Sequence, residues 1–590
     1  MTLKSLLSNQ RAVVVCGVAL VIVAIYAFHS AAMDVDTHVH QALLDTRFVS
    51  PFEMNRWGGP DGETRRWIAA GLYPWYKHPD SYLVEVRPLW SGGVALAYSV
   101  FGRAPLPYYL TSLVVFLGFL GAVWAWLRRQ LPIELRTLAV CIFALDGLHA
   151  ESAVWFANLH SVIGGALAVL AVMMHVRWRE GWKPGLWLAV GLSVLALAFS
   201  ETSLGAFGFV VAFELLGVPS RSHRIRALLP LAAICIAFLA LLKVGGVGAK
   251  LIPLYADPFS EPIRFLSIAA HNLRWYFEAS FGGLGLGWSA LLFAVSVPWF
   301  WAGMRSRSSQ ERRVIWAILL GAVLSLVPVL GVIQTPIEPG MFIAVRCLLY
   351  FTIGLAVFWA VAVWQAATVA ARAGGTAWMR IAAATATLIM ILNLFVWSPV
   401  RFVRLVRYWF VEDDDAATVE AIQRVPMTCR ESKRVVWLRG PRSIMAFREY
   451  YLLAARLGWP STEVGRQVTV APPGKNPLAL ARTGDRTIEI RSERGAVYAG
   501  DTRLNTPMPL PPGPIPVPGA EVRVLDNPAL PFGSADDRGQ APVVELAGTL
   551  PSRIEIHFTD DPTSNCFVVQ APDGVVTRIS LPEIGTETRL

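Results

Sequence analysis

Phe143-Ala-Leu-Asp-Gly-Leu-His-Ala-Glu-Ser-Ala-Val-Trp155 sets three ionisable side chains, Asp146, His149 and Glu151, at the junction of two apolar runs. An ionisable group at the centre of a spanning helix costs roughly 3 kcal/mol on insertion scales unless it is paired or wetted. The stretch therefore reads as a polar junction between two membrane helices. Two more patches share its character: Ser200-Glu201-Thr202-Ser203, and Asp34-Val35-Asp36-Thr37-His38 just past the first apolar run. Three acidic patches on one side of a bilayer, as assigned below, point to a catalytic pocket at a membrane face.

Working outward, apolar runs fall near 12–32, 107–127, 137–147, 159–176, 185–199, 203–218, 227–245, 287–303, 314–333, 342–365 and 381–398. On a ~20-residue criterion these give about eleven spans, several of them short. A 54% hydrophobic, 16% charged composition lies outside the range of soluble domains. Residues 411–590 are instead polar, Pro-rich and strand-like. The predicted fold is a polytopic α-helical membrane domain over 1–410, followed by a soluble α/β or mostly-β domain over 411–590.

The net charge of +10 invites a nucleic-acid reading, but its placement argues against one. Lys4 and Arg11; Arg128, Arg129 and Arg136; Arg177, Arg179 and Lys183; Arg221, Arg224 and Arg226; Arg305, Arg307, Arg312 and Arg313; and Arg372 and Arg380 lie mostly in short connections between apolar runs. Every second connection is basic, which marks those connections as cytoplasmic. The first run ends without a clean small-residue cleavage site and reads as an uncleaved anchor, N-terminus inside. An odd number of spans then puts the acidic patches and the C-terminal domain outside.

The first outer loop, about 33–106, contains the segment 89–102, apolar but too short to span. It reads as an interfacial helix with Trp90 and Tyr98 as belt residues. Arg401, Arg404 and Arg407, spaced by three after the last run, read as one helix face against lipid phosphates. In the C-terminal domain, Val435–Leu438, Thr487–Ile490, Glu521–Leu525, Ile554–Phe558, Cys566–Gln570 and Val575–Ile579 alternate as strands, 444–457 as a helix, and Met508–Pro518 as an extended linker. Cys429 and Cys566 suit a disulfide if the domain is extracytoplasmic, but their spacing does not establish one.

The order of motifs resembles the GT-C class of polytopic glycosyltransferases, nearest to bacterial relatives of the protein O-mannosyltransferase and transmembrane tetratricopeptide O-mannosyltransferase families. Asp34-Val35-Asp36 resembles the acidic pair after the first span. Arg87-Pro88-Leu89, ending at Phe101-Gly102, is similar to the family's juxtamembrane helix, and Pro105-Leu-Pro-Tyr-Tyr-Leu110 to the start of its next span. His149-Ala-Glu151-Ser-Ala-Val-Trp155 resembles its His-Pro-x-x-x-Glu-x-x-x-Trp, and Phe199-Ser-Glu-Thr202 its Ser-Lys-Glu. Val327-Pro-Val-Leu330 and Arg346-Cys-Leu-Leu-Tyr350 complete the series. The likeness covers about 12–365. Here Val35 splits the acidic pair, His149 and Glu151 stand closer than in the family, no lysine precedes Glu201, and no tetratricopeptide repeat follows the membrane domain.

The resemblance implies transfer of a sugar from a polyprenyl-phosphate donor to a protein, lipid or envelope glycan at the outer face of a bacterial inner membrane. Such transfer needs a carboxylate to deprotonate the acceptor, a cation for the leaving phosphate and an apolar path for the lipid. Asp34 and Asp36 share a face in extended backbone and are the candidate bases. Arg346 and Arg87 are the candidate phosphate ligands, with His149, Glu151 and Glu201 orienting donor or acceptor. No cofactor is required. Asp34, Asp36 and Glu151 offer oxygen ligands to a divalent ion, but the spacing demands none. A secondary transporter is the rival from another class, yet it buries its acids near the midplane of repeated halves, and no repeat is visible. A polysaccharide polymerase or ligase depends on outer-loop arginines, and an assembly protein on its C-terminal domain.

Overall fold

The computed structural model describes residues 11–28, 40–41, 43–44, 50–59, 62–71, 73, 79–80, 82–102, 104–217, 224–244, 248–250, 258–259, 262–332, 336–338, 341–342, 348–372, 376–407, 420–439, 453–454, 456–459, 466–469, 478–492, 505–509, 514–517, 519–525, 529–533, 552–570 and 576–590. Among them, seven helices are long and apolar enough to cross a membrane: Pro105–Gln130, Phe156–Arg179, Arg224–Val244, Leu286–Arg305, Ser309–Val329, Phe351–Ala371 and Ala377–Arg407. An eighth is the pair Ile133–Ala144 and Gly147–Val154, bent by 52°. The protein is a multi-pass membrane protein with a C-terminal sheet domain.

The expected count of about eleven spans is not reproduced. The helices in runs 12–32 and 185–199, Ala12–Phe28 and Pro184–Phe199, are shorter. At 1.5 Å per residue the latter rises only about 24 Å against a hydrocarbon core near 30 Å. The run 203–218 breaks into a 3-10 turn Glu201–Ala206, the helix Phe207–Ala212 and a π turn Phe213–Gly217. Apolarity alone does not report such breaks.

Contacts between residues divide the chain into two units. The first comprises Met1–Ala32, Val86–Gly245 and Asp257–Val411. Its helix Leu159–Arg179 has 21 residues, so His160 and Arg179 stand about 30 Å apart on opposite ends. At the Arg179 end, Arg129 pairs with Glu180 at 2.9 Å. The buried Glu214 Oε1 there lies 2.9 Å from His175 Nε2 and 2.8 Å from Arg179 Nε. The His160 end carries a different polar cluster, described below.

An additional helix, Pro262–Ser280, buries Ile268, Ala269, Asn272, Trp275, Tyr276 and Ala279 at helical spacing. Asn272 Nδ2 donates to the carbonyls of Leu330 at 2.8 Å and Val332 at 2.6 Å. Arg264, Arg274 and Glu278 interrupt its apolar residues, so a search for apolar runs passes over it. Two interfacial expectations are corrected. Trp90 is buried, its ring 5.1 Å from Phe156 and 6.2 Å from His160. Arg401 is buried and donates from Nη1 to Ala279 O at 2.7 Å, whereas Arg404 is exposed. Steps of three residues turn a helix by about 300°, so three such arginines drift around the surface and do not share one face.

The second unit comprises Met33–Glu85, Gly246–Ala256 and Glu412–Leu590. Its six-stranded antiparallel sheet runs Ile515–Val517, Ala520–Val524, Arg553–Phe558, Thr487–Ser492, Leu478–Arg482, Glu587–Arg589. Alternation puts Ile488, Ile490, Ile554, Ile556 and Phe558 on its buried face. A four-stranded sheet pairs Val435–Arg439 in parallel with Gln467–Thr469 and Cys566–Gln570, and the latter antiparallel with Val576–Ile579. Helix Glu63–Ala69 packs on Ile515–Val517, and Tyr82–Val84 joins Arg56–Trp57 to Gly248–Lys250. Cys429 and Cys566 form a disulfide with Cα atoms 5.3 Å apart.

The segment expected as a linker, Met508–Pro518, instead contributes to the strands Asn505–Pro509 and Ile515–Val517. Pro516 lacks an N–H, which an edge strand tolerates, and its strand lies at the edge. Most of the expected helix 444–457 lies outside the described residues.

Candidate active site

The site is built where the sequence changes from apolar to polar. Arg87 precedes the 14-residue helix Pro88–Phe101, whose first turn accepts Pro88 because that position needs no backbone donor. The helix ends at Gly102, φ +56, a left-handed geometry that suits glycine. Tyr108 Oη donates to Gly102 O at 2.6 Å, and the Tyr108 ring meets Phe156 edge-on at 4.8 Å. The residues that carry the family likeness between 87 and 108 thus lock the juxtamembrane helix to the following span and to the polar junction.

That packing brings Arg87 to Glu201, 114 residues away. Arg87 Nε donates to Glu201 Oε2 at 2.9 Å, and Nη2 donates to Oε1, making a two-pronged ion pair. The Arg87 side chain is 9% exposed and that of Glu201 30%, so the carboxylate is the side water reaches. Arg87 Nη1 lies 3.0 Å from His160 Nε2. A guanidinium can only donate, so Nε2 accepts, the ring is neutral and its proton is on Nδ1. Nδ1 faces Ser200 Oγ at 3.0 Å and Ser161 Oγ at 3.1 Å. Ser200 ends the helix Pro184–Phe199 and caps the turn that carries Glu201, accepting from Thr202 N at 3.3 Å.

The junction 145–158 leads into His160. Asp146 caps the turn Gly147–His149, its Oδ1 accepting from Leu148 N at 3.0 Å. Gly147 N donates to Ser398 Oγ at 2.8 Å, and a Cβ on Gly147 would fall 2.6 Å from Ser398 O. His149 is buried against Phe143 and Phe116, with Nδ1 2.7 Å from Phe143 O and Nε2 2.9 Å from Thr352 Oγ1. Both ring nitrogens are thus engaged within the protein. Glu151 is buried in the short helix Ala150–Val154.

Of the residues singled out in the sequence, the fold joins Arg87 to Glu201 and places His149 and Glu151 on the junction that enters the same cluster. Asp34, Asp36 and Arg346 lie outside the described residues. His160 and the capping role of Ser200 were not anticipated. The available signal was a histidine at the first turn of a long apolar run, where an imidazole demands a partner. Among the described residues, no group of three His, Cys, Asp or Glu side chains is placed to hold a metal.

No protein-family profile and no curated protein matches the chain. Among solved structures, the chain aligns with the crystal structure of ArnT from Cupriavidus metallidurans in the apo state. The alignment covers 73% of this chain and 88% of that chain, at 14% identity and a TM-score of 0.34. So loose a superposition fixes neither chemistry nor substrate.

Proposed function

We propose that the protein is a membrane glycosyltransferase of the GT-C class. It takes a sugar from a polyprenyl-phosphate donor and passes it to an acceptor hydroxyl at the face that holds Arg87 and Glu201. That face is taken as the extracytoplasmic side of a bacterial plasma membrane, and the acceptor as a protein, lipid or envelope glycan. One observation carries the reading. Polar groups at the ends of separate apolar segments, at Arg87, His160 and Glu201, meet in one hydrogen-bonded cluster with a water-facing carboxylate.

In this reading Asp34 or Asp36 is the base. The acceptor oxygen bonds to the anomeric carbon as the bond to the phosphate oxygen breaks; the proton passes to the carboxylate and the electron pair leaves on phosphate. Arg346 holds that phosphate, where a planar fork serves better than an ammonium. Glu201, aimed by Arg87 and backed by neutral His160, orients sugar hydroxyls. His149 and Glu151 brace the junction. The test is the product glycan: a deletion strain should lack one sugar that the wild-type gene restores. Asp34→Asn or Asp36→Asn should fail to restore it, since loss of a general base costs ~10²–10⁴-fold. Unchanged envelope glycans in the deletion strain would reject the proposal.

A further inference from the structure

A polar cavity in the membrane unit is lined by none of the residues of the Arg87–Glu201 cluster. Its lining includes Asp146, Trp359, Asn393, Trp397, Ser398 and Arg401, and its volume of about 20 Å³ admits one or two water-sized groups. It forms where the last long helix takes a π turn at Asn393–Trp397, an irregularity that recurs at functional sites. Trp397 Nε1 donates to Gly282 O at 2.7 Å, which fixes the indole at the rim.

The side chains that line this cavity include an acceptor and a donor with no hydrogen-bond partner among the described residues. Asn393 is 8% exposed and its Oδ1 has no partner; Trp359 is 1% exposed and its Nε1 has none. Buried polar atoms are seldom left so, because each forfeits the hydration it had in the unfolded chain. One is an acceptor and the other a donor, so the matching occupant both gives and receives a hydrogen bond. The Asp146 carboxylate disfavours an anion there and the buried Arg401 guanidinium disfavours a cation. A neutral hydroxyl is left. Of its lining residues, Asp146 on the 145–158 junction and Trp397 and Ser398 on the last helix are the partly buried ones.

We propose that this cavity is a subsite for one hydroxyl arm of the acceptor, a polyhydroxylated group such as a sugar or polyol, with the rest of it lying at the Trp397 rim. The proposal rests on the transferase reading above for the word acceptor. The hydroxyl itself can come from such a molecule or from water, and the experiment separates the two. Saturation-transfer NMR on the full chain in detergent, with a panel of methyl hexosides and hexitols, should detect binding of at least one. Asn393→Leu and Trp359→Phe should each weaken it about tenfold, the loss of one hydrogen bond. Trp359→Phe keeps one aromatic ring but removes the Nε1 donor and some volume, so the melting temperature of both variants is measured beside binding to show that they remain folded. No saturation from any probe, or signals unchanged in both variants, means that water alone fills the cavity and overturns the subsite. If a probe binds through Asn393 but the protein transfers no sugar, the transferase reading falls and the hydroxyl site remains.

Discussion

Arg87 and Glu201 each look out of place in the sequence, and each is explained by the other. Lone charges at the ends of apolar runs are legible from the sequence, but their pairing across 114 residues is not, because periodicity carries no long-range information. Removing one partner leaves the other uncompensated, whereas an apolar replacement of both is often neutral for folding. Glu201→Gln should therefore lower both the melting temperature in detergent and transfer. The double variant Arg87→Met with Glu201→Leu should regain the melting temperature and stay inactive. Recovery of activity in the double variant would reduce the pair to scaffolding. At the far end of the same bundle, Glu214 is buried between His175 and Arg179. Glu214→Ala leaves the buried His175 and the half-buried Arg179 without their shared carboxylate and should lower the melting temperature. Transfer by the fraction that remains folded should be normal.

Among the elements, the polar junction was the most legible and the breaks in the spans the least. Asp146-Gly147 reads as a turn from residue types alone, and Asp146 does cap one. What the sequence could not disclose is that Gly147 also lies against the last helix, where a side chain has no room. Gly147→Ala should push Ser398 away, lower the melting temperature and impair transfer. Gly118 is the control: it is also a glycine at a membrane helix, but a Cβ there meets nothing within 4 Å. Gly118→Ala should be neutral or stabilising by about 0.5–1 kcal/mol. Equal losses in the two variants would mean that the Ser398 contact does not matter. The helix Pro262–Ser280 and the π turns went unread for one shared reason: amphipathic spacing and hydrogen-bond register leave little trace in a scan for apolar length.

For the whole molecule, the helical membrane unit and the sheet-rich C-terminal region follow from composition, since long apolar runs and alternating strands are strong local signals. The Cys429–Cys566 pairing did not follow from the sequence, because a chain segment spanning a sequence separation of 137 can fold many ways. Disulfides persist in oxidising compartments, so the pairing requires the proposed extracytoplasmic placement of the C-terminal domain. Both thiols should resist maleimide in intact protein until reduced, and Cys429→Ser should cost roughly 2–5 kcal/mol of domain stability. In the same domain Asp560 is bonded to Lys433 and Arg434, and their cations hold its carboxyl below the usual range. A lowered folded pKa stabilises above the ordinary carboxylate value and is lost as pH falls through the folded one. The melting-temperature gap between wild type and Asp560→Asn should thus be present at pH 7 and close below about pH 4.

The most direct measurement uses purified protein in liposomes with labelled polyprenyl-phosphate sugars and a membrane extract as acceptor, and follows release of polyprenyl phosphate. Wild type should release it together with labelled product, and the Arg87→Met, Glu201→Leu double variant should not. No release from any of the donors by folded wild-type protein, or equal release by the double variant, would contradict the assignment of a sugar-transfer site at Arg87 and Glu201.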